Sequence, residues 1–583
     1  MILQSLVEYY EQLLEDDPDS VAPPGWCPRN IAFMLELTSG GELLNILPAE
    51  EKRGWPRMVP EQAKRSSGVE ANLLCDNASY LLGIDAKGKP ERSLQCFSAS
   101  KEKHLAFLRD LQSDAALAVK AFFESWQPEN ALDHAAVKEA GEGLLAGGNL
   151  AFRVNGREVL DDAVIKNAWD RSYASPSDGA VVMTCLVTGE KAPIARLHPS
   201  IRGVVGAQSM GASLVGFNSR AFESYGRDEE QGLNAPVSEY ATFAYTTALN
   251  YLLADRKHHI RLGDTTVVYW AEKNDAACSG MFSQALGAPS IDDEETNPDD
   301  LIDAIMEKLE KGLLSREVDV DATFYVLGLA PNAARVSVRF FLRDTFGTMI
   351  GNVGNHYKRL DIVHASYERR YLSPYRLLAE TANPNARDPA ASSVLGGALM
   401  RSIIEDLRYP EAFFSNALLR VRASQDNDEQ RTRKVTRGRA AILKACLIKN
   451  YHQSEEVVTV SLNEDRDDAP YVLGRLFAIL ESIQEAANPT IKRTIKATYF
   501  DSAASTPASI FPLIIKLAGS HLQKISQDRK GLAVHYEKQV GTLCDKMQAF
   551  PKRLSLEDQG SFVLGYYQQV QDRYTKKEDE QEA

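Results

Sequence analysis

From Pro470 to its end the chain repeats apolar residues at helical spacing, and no other feature limits its fold as strongly. Val472, Leu476, Ile479, Leu480 and Ile483 make one apolar face, which Asn488-Pro489 interrupts. Ile510, Leu513, Ile514, Leu517 and Ile525 make another, and Ser555 with Asp558 has capping-box spacing, Asp standing for the usual Glu or Gln. Short-looped helices packed into so little chain predict a small bundle over 459–583. The polar segment 451–470, ending Asn463-Glu-Asp-Arg-Asp-Asp-Ala-Pro470, reads as the linker before it.

Ahead of that linker the pattern is mixed. Ile31–Leu37 and Glu42–Leu47 flank Thr38-Ser39-Gly40-Gly41, a hairpin signal because Gly-Gly supplies the positive φ of a tight turn. Helical patterns occupy 101–126, β-rich residues 180–188, and a helix spans Ser238–Asp255 with Ser238 as its cap. Thr265–Ala271, Asp321–Leu329 and Ala333–Phe341 read as strands. In the last, Arg335, Ser337 and Arg339 alternate with Val336, Val338 and Phe340, so period two predicts arginines on one face and apolar residues on the other. The expectation is an α+β protein: an acidic mixed α/β region over 1–330, a basic middle region with β-strands over 331–458, then the bundle.

Charge and cysteine usage narrow the function. The net charge is −14, yet residues 331–450 carry twenty Lys and Arg against eleven Asp and Glu, a basic block within an acidic chain. Seven scattered cysteines without CxxC predict a reducing cytoplasm and no structural zinc. No apolar run approaches the roughly 18 residues a membrane span needs. The first residues predict an amphipathic helix built on Leu3, Leu6, Tyr10, Leu13 and Leu14, with no basic leader. The acidic run 289–303 lacks EF-hand spacing and reads as a solvated loop.

Reaction chemistry finds no support. Gly206-x4-Gly211 begins like a phosphate-binding loop, but Ala212 stands where that loop needs lysine. No His-Glu-x-x-His or Gly-x-Ser-x-Gly occurs. His258-His259 is expected at the surface, and His198, before Pro199, meets either a phosphate or a loop partner. No catalytic residue, metal or cofactor is expected. Binding chemistry is better represented. Gly203, Gly206, Gly211 and Gly216 let residues 197–218 approach a partner closely, with Gln208, Ser209, Ser213 and Asn218 as neutral hydrogen-bonding groups and Arg202 as charge. A second cluster holds Lys64, Arg65, Asn72 and Asn77, residue types that contact phosphates, guanine and adenine edges; the competing reading is turn chemistry with Asn77 as a helix cap. Arg335, Arg339, Arg422, Arg433, Arg437 and Arg439 are candidates for tracking nucleic-acid phosphates, with pairing to a partner subunit's acids as the rival.

Several stretches together carry a family resemblance: Val59-Pro-Glu-Gln-Ala-Lys-Arg-Ser-Ser-Gly68, Leu74-Cys-Asp-Asn-Ala-Ser-Tyr-Leu-Leu-Gly83, and Cys185-Leu-Val-Thr-Gly-Glu-Lys-Ala-Pro-Ile-Ala-Arg-Leu-His-Pro-Ser-Ile201 with the glycine loop after it. Gly232–Tyr240, Gly328–Arg335, Thr436–Ala441 and Tyr471–Phe477 continue the series. From Met1 to about residue 575 the chain resembles the large subunit of the type I-C CRISPR interference complex, Cascade. The resemblance implies a non-catalytic cytoplasmic protein whose partners are CRISPR RNA, the other Cascade subunits and target double-stranded DNA. Such a subunit reads the protospacer-adjacent motif, promotes duplex opening and R-loop formation, and helps present the displaced strand to a separate helicase-nuclease. Base pairing then reads sequence while protein reads the adjacent motif. It further implies a C-terminal bundle made separately from an internal start. No methionine lies between Met400 and Met547, so that start needs a non-AUG codon, for example at Val457, Val458 or Val460. The alternatives are a nuclease acting on CRISPR RNA or target DNA, which needs a carboxylate cluster and divalent metal, and a pure scaffold.

Overall fold

Strand Trp26–Leu37 is the axis of the first sheet. Its second half pairs antiparallel with Leu43–Pro48 on one side and parallel with Asn149–Val154 on the other, while its first half pairs with Trp55–Pro60. Cys75–Asp76 and Arg157–Glu158 add to Asn149–Val154. The expected hairpin is present, and Gly41 takes the positive φ (+83°) that its turn requires. The helical patterns expected over 101–126 are the helices Pro90–Leu108, which starts earlier, and Asp114–Ser125, the second capped by the Ser113 hydroxyl. Phe122, Phe123 and Phe152 pack edge to face in the core beneath.

This computed structural model describes residues 1–582 except 19, 51–53, 64, 66–67, 85–88, 175–179, 218, 225, 228, 274–275, 288–297, 384–385, 387–391, 428 and 430–431. The chain divides into two units: Met1–Ile201 with Ser213–Tyr251, and Arg202–Ala212 with everything from Leu252 onward. In the first unit, helix Ile2–Asp16 buries Leu6, Tyr10 and Leu13 of the expected stripe, together with Tyr9, and leaves Leu3 and Leu14 half-buried. Helix Glu239–Ala254 starts where expected, with the Ser238 hydroxyl accepting the Ala241 N–H at 3.1 Å. The β-rich stretch 180–188 contributes only the short strand Val182–Thr184, paired with Lys191–Pro193.

The second unit is built on an antiparallel sheet ordered Arg335–Thr345, Thr323–Asn332, Thr265–Ala271, His259–Leu262. Helices Ala276–Ala285 and Phe346–Leu360 cover one face, where Phe282, Phe324 and Phe346 meet. A bulge breaks the expected alternation in Arg335–Thr345: Gly328 pairs with Phe340, but Leu329 pairs with Val338. The extra residue, Arg339, moves Phe340 off the face of Val338. Phe340 is therefore buried and Val338 is 40% exposed, so the apolar residues do not share a face.

Domain boundaries expected at 330 and 458 both fall inside this unit. Among the described residues of 331–458, expected to carry β-strands, the one long strand Arg335–Thr345 is followed by helices and the loops that join them. One apolar core runs from the sheet through Phe414 and Leu447 to Phe477, Phe562 and Tyr566. The C-terminal helices follow the sequence closely. Ala469–Ala487 ends at Asn488, and the Ser555–Asp558 capping box closes in both directions at 3.1 and 2.9 Å. Gly474 and Gly565 let Ala469–Ala487 and Leu556–Glu582 touch backbone to backbone, since a Cβ at either would strike a carbonyl of the other helix. In Pro507–Asp528, Phe511, Ile514, Ala518 and Ile525 face inward, whereas Leu513 and Leu517 are 43% and 38% exposed.

Candidate nucleic-acid interface

The glycine-spaced segment is shared between the two units. In the first unit, His198 is buried and its Nδ1 lies 2.7 Å from the Tyr245 hydroxyl, so it serves the loop rather than a phosphate. Asn250 holds the Ser200 carbonyl at 3.2 Å. In the second unit, residues 202–212 form two tight turns closed by Ala207 N–H to the Val204 carbonyl and Gly211 N–H to the Gln208 carbonyl, at 3.1 and 2.8 Å. Gly203, Gly206 and Gly211 all have positive φ. Val205 N–H donates to the Thr266 hydroxyl at 3.2 Å, and Gly206 sits where a Cβ would press on Pro331 at 3.2 Å. Val204 and Ala212 are buried at the base, while Gln208, Ser209 and Met210 are exposed, Met210 by 77%. The backbone is fixed and its tip is presented to solvent. Ser213 is half-buried and belongs to the first unit, so the structure does not place it in the same unit as Gln208 and Ser209. Asn218 lies outside the described residues.

The second polar cluster folds inward. The buried Asp76 carboxylate accepts from Arg65 through both Nη atoms, one at 2.9 Å, from Asn72 N–H at 3.0 Å and from Asn77 N–H at 2.9 Å. Arg65 lies 3.9 Å over the Tyr80 ring. Burial opposes its charge, but the hydrogen bond and charge of Asp76 outweigh that and raise its pKa. Asn72 is buried, and its Oδ1 accepts Ala63 N–H at 3.1 Å. Asn77 caps helix Ala78–Leu81 through Ser79 N–H at 3.0 Å, the turn-chemistry reading. His104 completes the scaffold. Its Nδ1 meets the Ser100 carbonyl at 2.7 Å and its Nε2 accepts the N–H of Leu74, whose φ is +59°. Burial pushes the His104 pKa down to about 4, keeping the ring neutral for that role. Lys64 lies outside the described residues.

The arginine candidates separate by what they touch. Arg439 is buried against the carbonyls of Arg433 and Lys434, at 2.8 and 2.9 Å, and against Glu380 at 3.2 Å; burial lowers its pKa. Arg437 donates to the carbonyls of Arg369 and Arg370. Arg422 donates to Gln559, which joins helix Glu411–Ala423 to Leu556–Glu582. These three hold the fold. Arg339 pairs with Asp264 at 3.3 Å and stays partly exposed, Arg335 is half-exposed, and Arg202 and Arg433 are exposed. Arg431, a neighbour in the same basic stretch, lies outside the described residues.

One further position differs from expectation. His258 is buried, not at the surface, with Asp255 3.8 Å away and burial lowering its pKa. Cys185 is buried. Burial works against its thiolate, but hydrogen bonds from Ser238 and Thr188 prevail and bring the pKa to about 7. Among the described residues no group of three or more His, Cys, Asp and Glu is arranged to hold a metal, and no helix is long and apolar enough to cross a membrane.

The tip Gln208-Ser209-Met210 is solvent-facing, and Arg202, Arg335, Arg339 and Arg433 are each at least partly exposed. A family model described as CRISPR-associated protein (Cas_Csd1) matches residues 6–574, nearly the whole chain, which assigns the class. Within that class the chain belongs to the Csd1 family, the type I-C large-subunit family to which its motifs pointed. No curated protein matches the chain.

Proposed function

We propose that the chain is the large subunit of a CRISPR RNA-guided DNA surveillance complex. In this reading it recognises the protospacer-adjacent motif on double-stranded DNA, promotes duplex opening and R-loop formation, and helps recruit a separate helicase-nuclease, with no catalysis of its own. Family membership supports a role in a CRISPR complex, and the observation that carries motif reading is the exposed tip Gln208-Ser209-Met210 on its pinned base. Gln208 and Ser209 supply neutral hydrogen bonds to base edges, and Met210 supplies an apolar wedge of the kind that loosens a base step. Arg202, Arg433, Arg335 and Arg339 supply backbone contacts, each phosphate contact adding about one unit to the salt slope.

The test is a gel-shift titration of the assembled CRISPR RNA complex, with and without this subunit, on duplexes bearing a randomised adjacent motif. Motif-selective binding that requires the subunit is the expected result. Equal binding without it returns the chain to scaffold. Metal-dependent cleavage of DNA or CRISPR RNA by the purified protein would make it a nuclease instead.

A further inference from the structure

Among the described residues of the second unit, Tyr367 and Tyr375 are the most exposed tyrosines, at 89% and 70%. They sit in the segment His364-Ala-Ser-Tyr-Glu-Arg-Arg-Tyr-Leu-Ser-Pro-Tyr-Arg376, in which Arg369, Arg370 and Arg376 are also exposed. Exposed aromatic rings of this size are costly to leave in water, and two within nine residues of three exposed arginines form a pattern rather than scatter.

The backbone beneath them is held. Half-buried Arg437 donates to the carbonyls of both Arg369 and Arg370, and its guanidinium lies 3.9 Å from Glu368, partly meeting that acid's charge. Tyr371 turns inward, edge-on to Tyr357 at 5.1 Å, with its hydroxyl donating to Asp303 at 2.9 Å. The Tyr567 hydroxyl holds the Val363 carbonyl at 2.8 Å, and helix Pro374–Thr381 fixes the far end. Anchoring of the main chain and of Tyr371 leaves Tyr367, Tyr375, Arg369 and Arg376 directed at solvent, while Arg370 pairs with Asp303 and remains 63% exposed.

We propose that this segment binds single-stranded DNA, with Tyr367 and Tyr375 as stacking platforms and Arg369, Arg370 and Arg376 on the phosphates. The proposal rests on the surveillance-complex reading given above. Aromatic faces and guanidinium forks bind any base sequence, because every base has a π-face and every nucleotide a phosphate. A strand displaced at varied targets needs such sequence-blind contacts. The guide's bases are instead engaged in the heteroduplex, so the unpaired strand is the one with faces to offer. The same arrangement gives Arg437 a positioning role: it aims two phosphate-binding arginines without touching the strand.

The experiment is fluorescence anisotropy of the full-length protein with labelled oligo-dT, oligo-U of equal length, and a blunt duplex. The variants are Tyr367→Ala/Tyr375→Ala, Tyr367→Phe/Tyr375→Phe, and Arg369→Ala/Arg376→Ala. The Ala tyrosine pair should weaken oligo-dT binding about tenfold or more, the Phe pair should retain it, and the arginine pair should weaken it with a flatter salt dependence. Thermal unfolding should be unchanged in all three, because the altered groups face solvent. Oligo-dT binding indifferent to the Ala tyrosine pair, or absent from the wild type, overturns the proposal. Tighter binding of oligo-U than of oligo-dT assigns the surface to RNA and overturns the DNA assignment. If binding depends on the tyrosines but the assembled complex shows no motif preference, the single-strand site stands and the motif reading falls.

Discussion

The loop at 202–212 and the cluster at 62–80 carry the same sequence signature, glycine with arginine, asparagine or glutamine, yet they use it in opposite ways. In the cluster the polar side chains satisfy one another: Asp76 gathers Arg65 and two backbone N–H groups, and Asn72 closes on Ala63. In the loop it is the backbone that is satisfied, by its own turns and by Thr266, which leaves Gln208 and Ser209 exposed. A polar residue is available to a partner only when the main chain around it needs no help. That comparison makes the cluster a brace and leaves the loop as the candidate reading surface.

The largest effect should come from Asp76→Ala. It strands the Arg65 charge and frees two N–H groups, and should cost about 3 kcal/mol in urea unfolding. A loss below about 1 kcal/mol would mean that the cluster is not a brace.

Next is a pH dependence. His104 has a folded pKa of about 4, below its unfolded value near 6.5, so as pH falls the unfolded chain takes up the proton first. Its contribution is complete above pH 6.5 and is lost on descending to pH 4. His356, held down to about 3, and His258 act in the same direction. The wild type should therefore lose stability faster than His104→Gln across that window, by about 3 kcal/mol, and parallel curves from the two proteins would sink the assignment.

Third, Gly206→Val forces a branched side chain into positive φ against Pro331 and should cost about 1–2 kcal/mol, with a larger loss of motif discrimination because the tip is displaced. The smallest effect on folding should be that of Gln208→Ala, within about 0.5 kcal/mol of wild type, although it removes about 1–3 kcal/mol of discrimination between matched and mutated motifs. If both motifs bind Gln208→Ala as they bind the wild type, Gln208 is not a reader.

Local signals survived into the structure where their partners were near in sequence. The Ser238 cap, the Gly41 turn and the Ser555–Asp558 box each close within four residues and were legible. Long-range partners were not. Nothing around Asn72 announces that it is buried, because its surroundings depend on His104 holding Leu74 from thirty residues away. The bulge at Arg339 arises from the neighbouring strand's Gly328–Leu329 register and overrides a clean period-two pattern. Sequence reading passed over Tyr367 and Tyr375, because Tyr357 and Tyr371 look the same in sequence and are drawn inward by Ala285 and Asp303. Exposure separates the four, and exposure is a tertiary property.

The parallel pairing of Ile31 with Asn149 also sets an order of events during synthesis. Strand Trp26–Leu37 gains its hairpin partner almost at once, but its other edge has no neighbour until Asn149–Val154 has been made. Meanwhile the nascent chain displays an open, apolar strand edge containing Phe33, Met34 and Leu35, a template for pairing with another chain. Yield of this protein should therefore fall with crowding on the ribosome and rise with chaperones that shield extended apolar segments, even where the finished fold is stable.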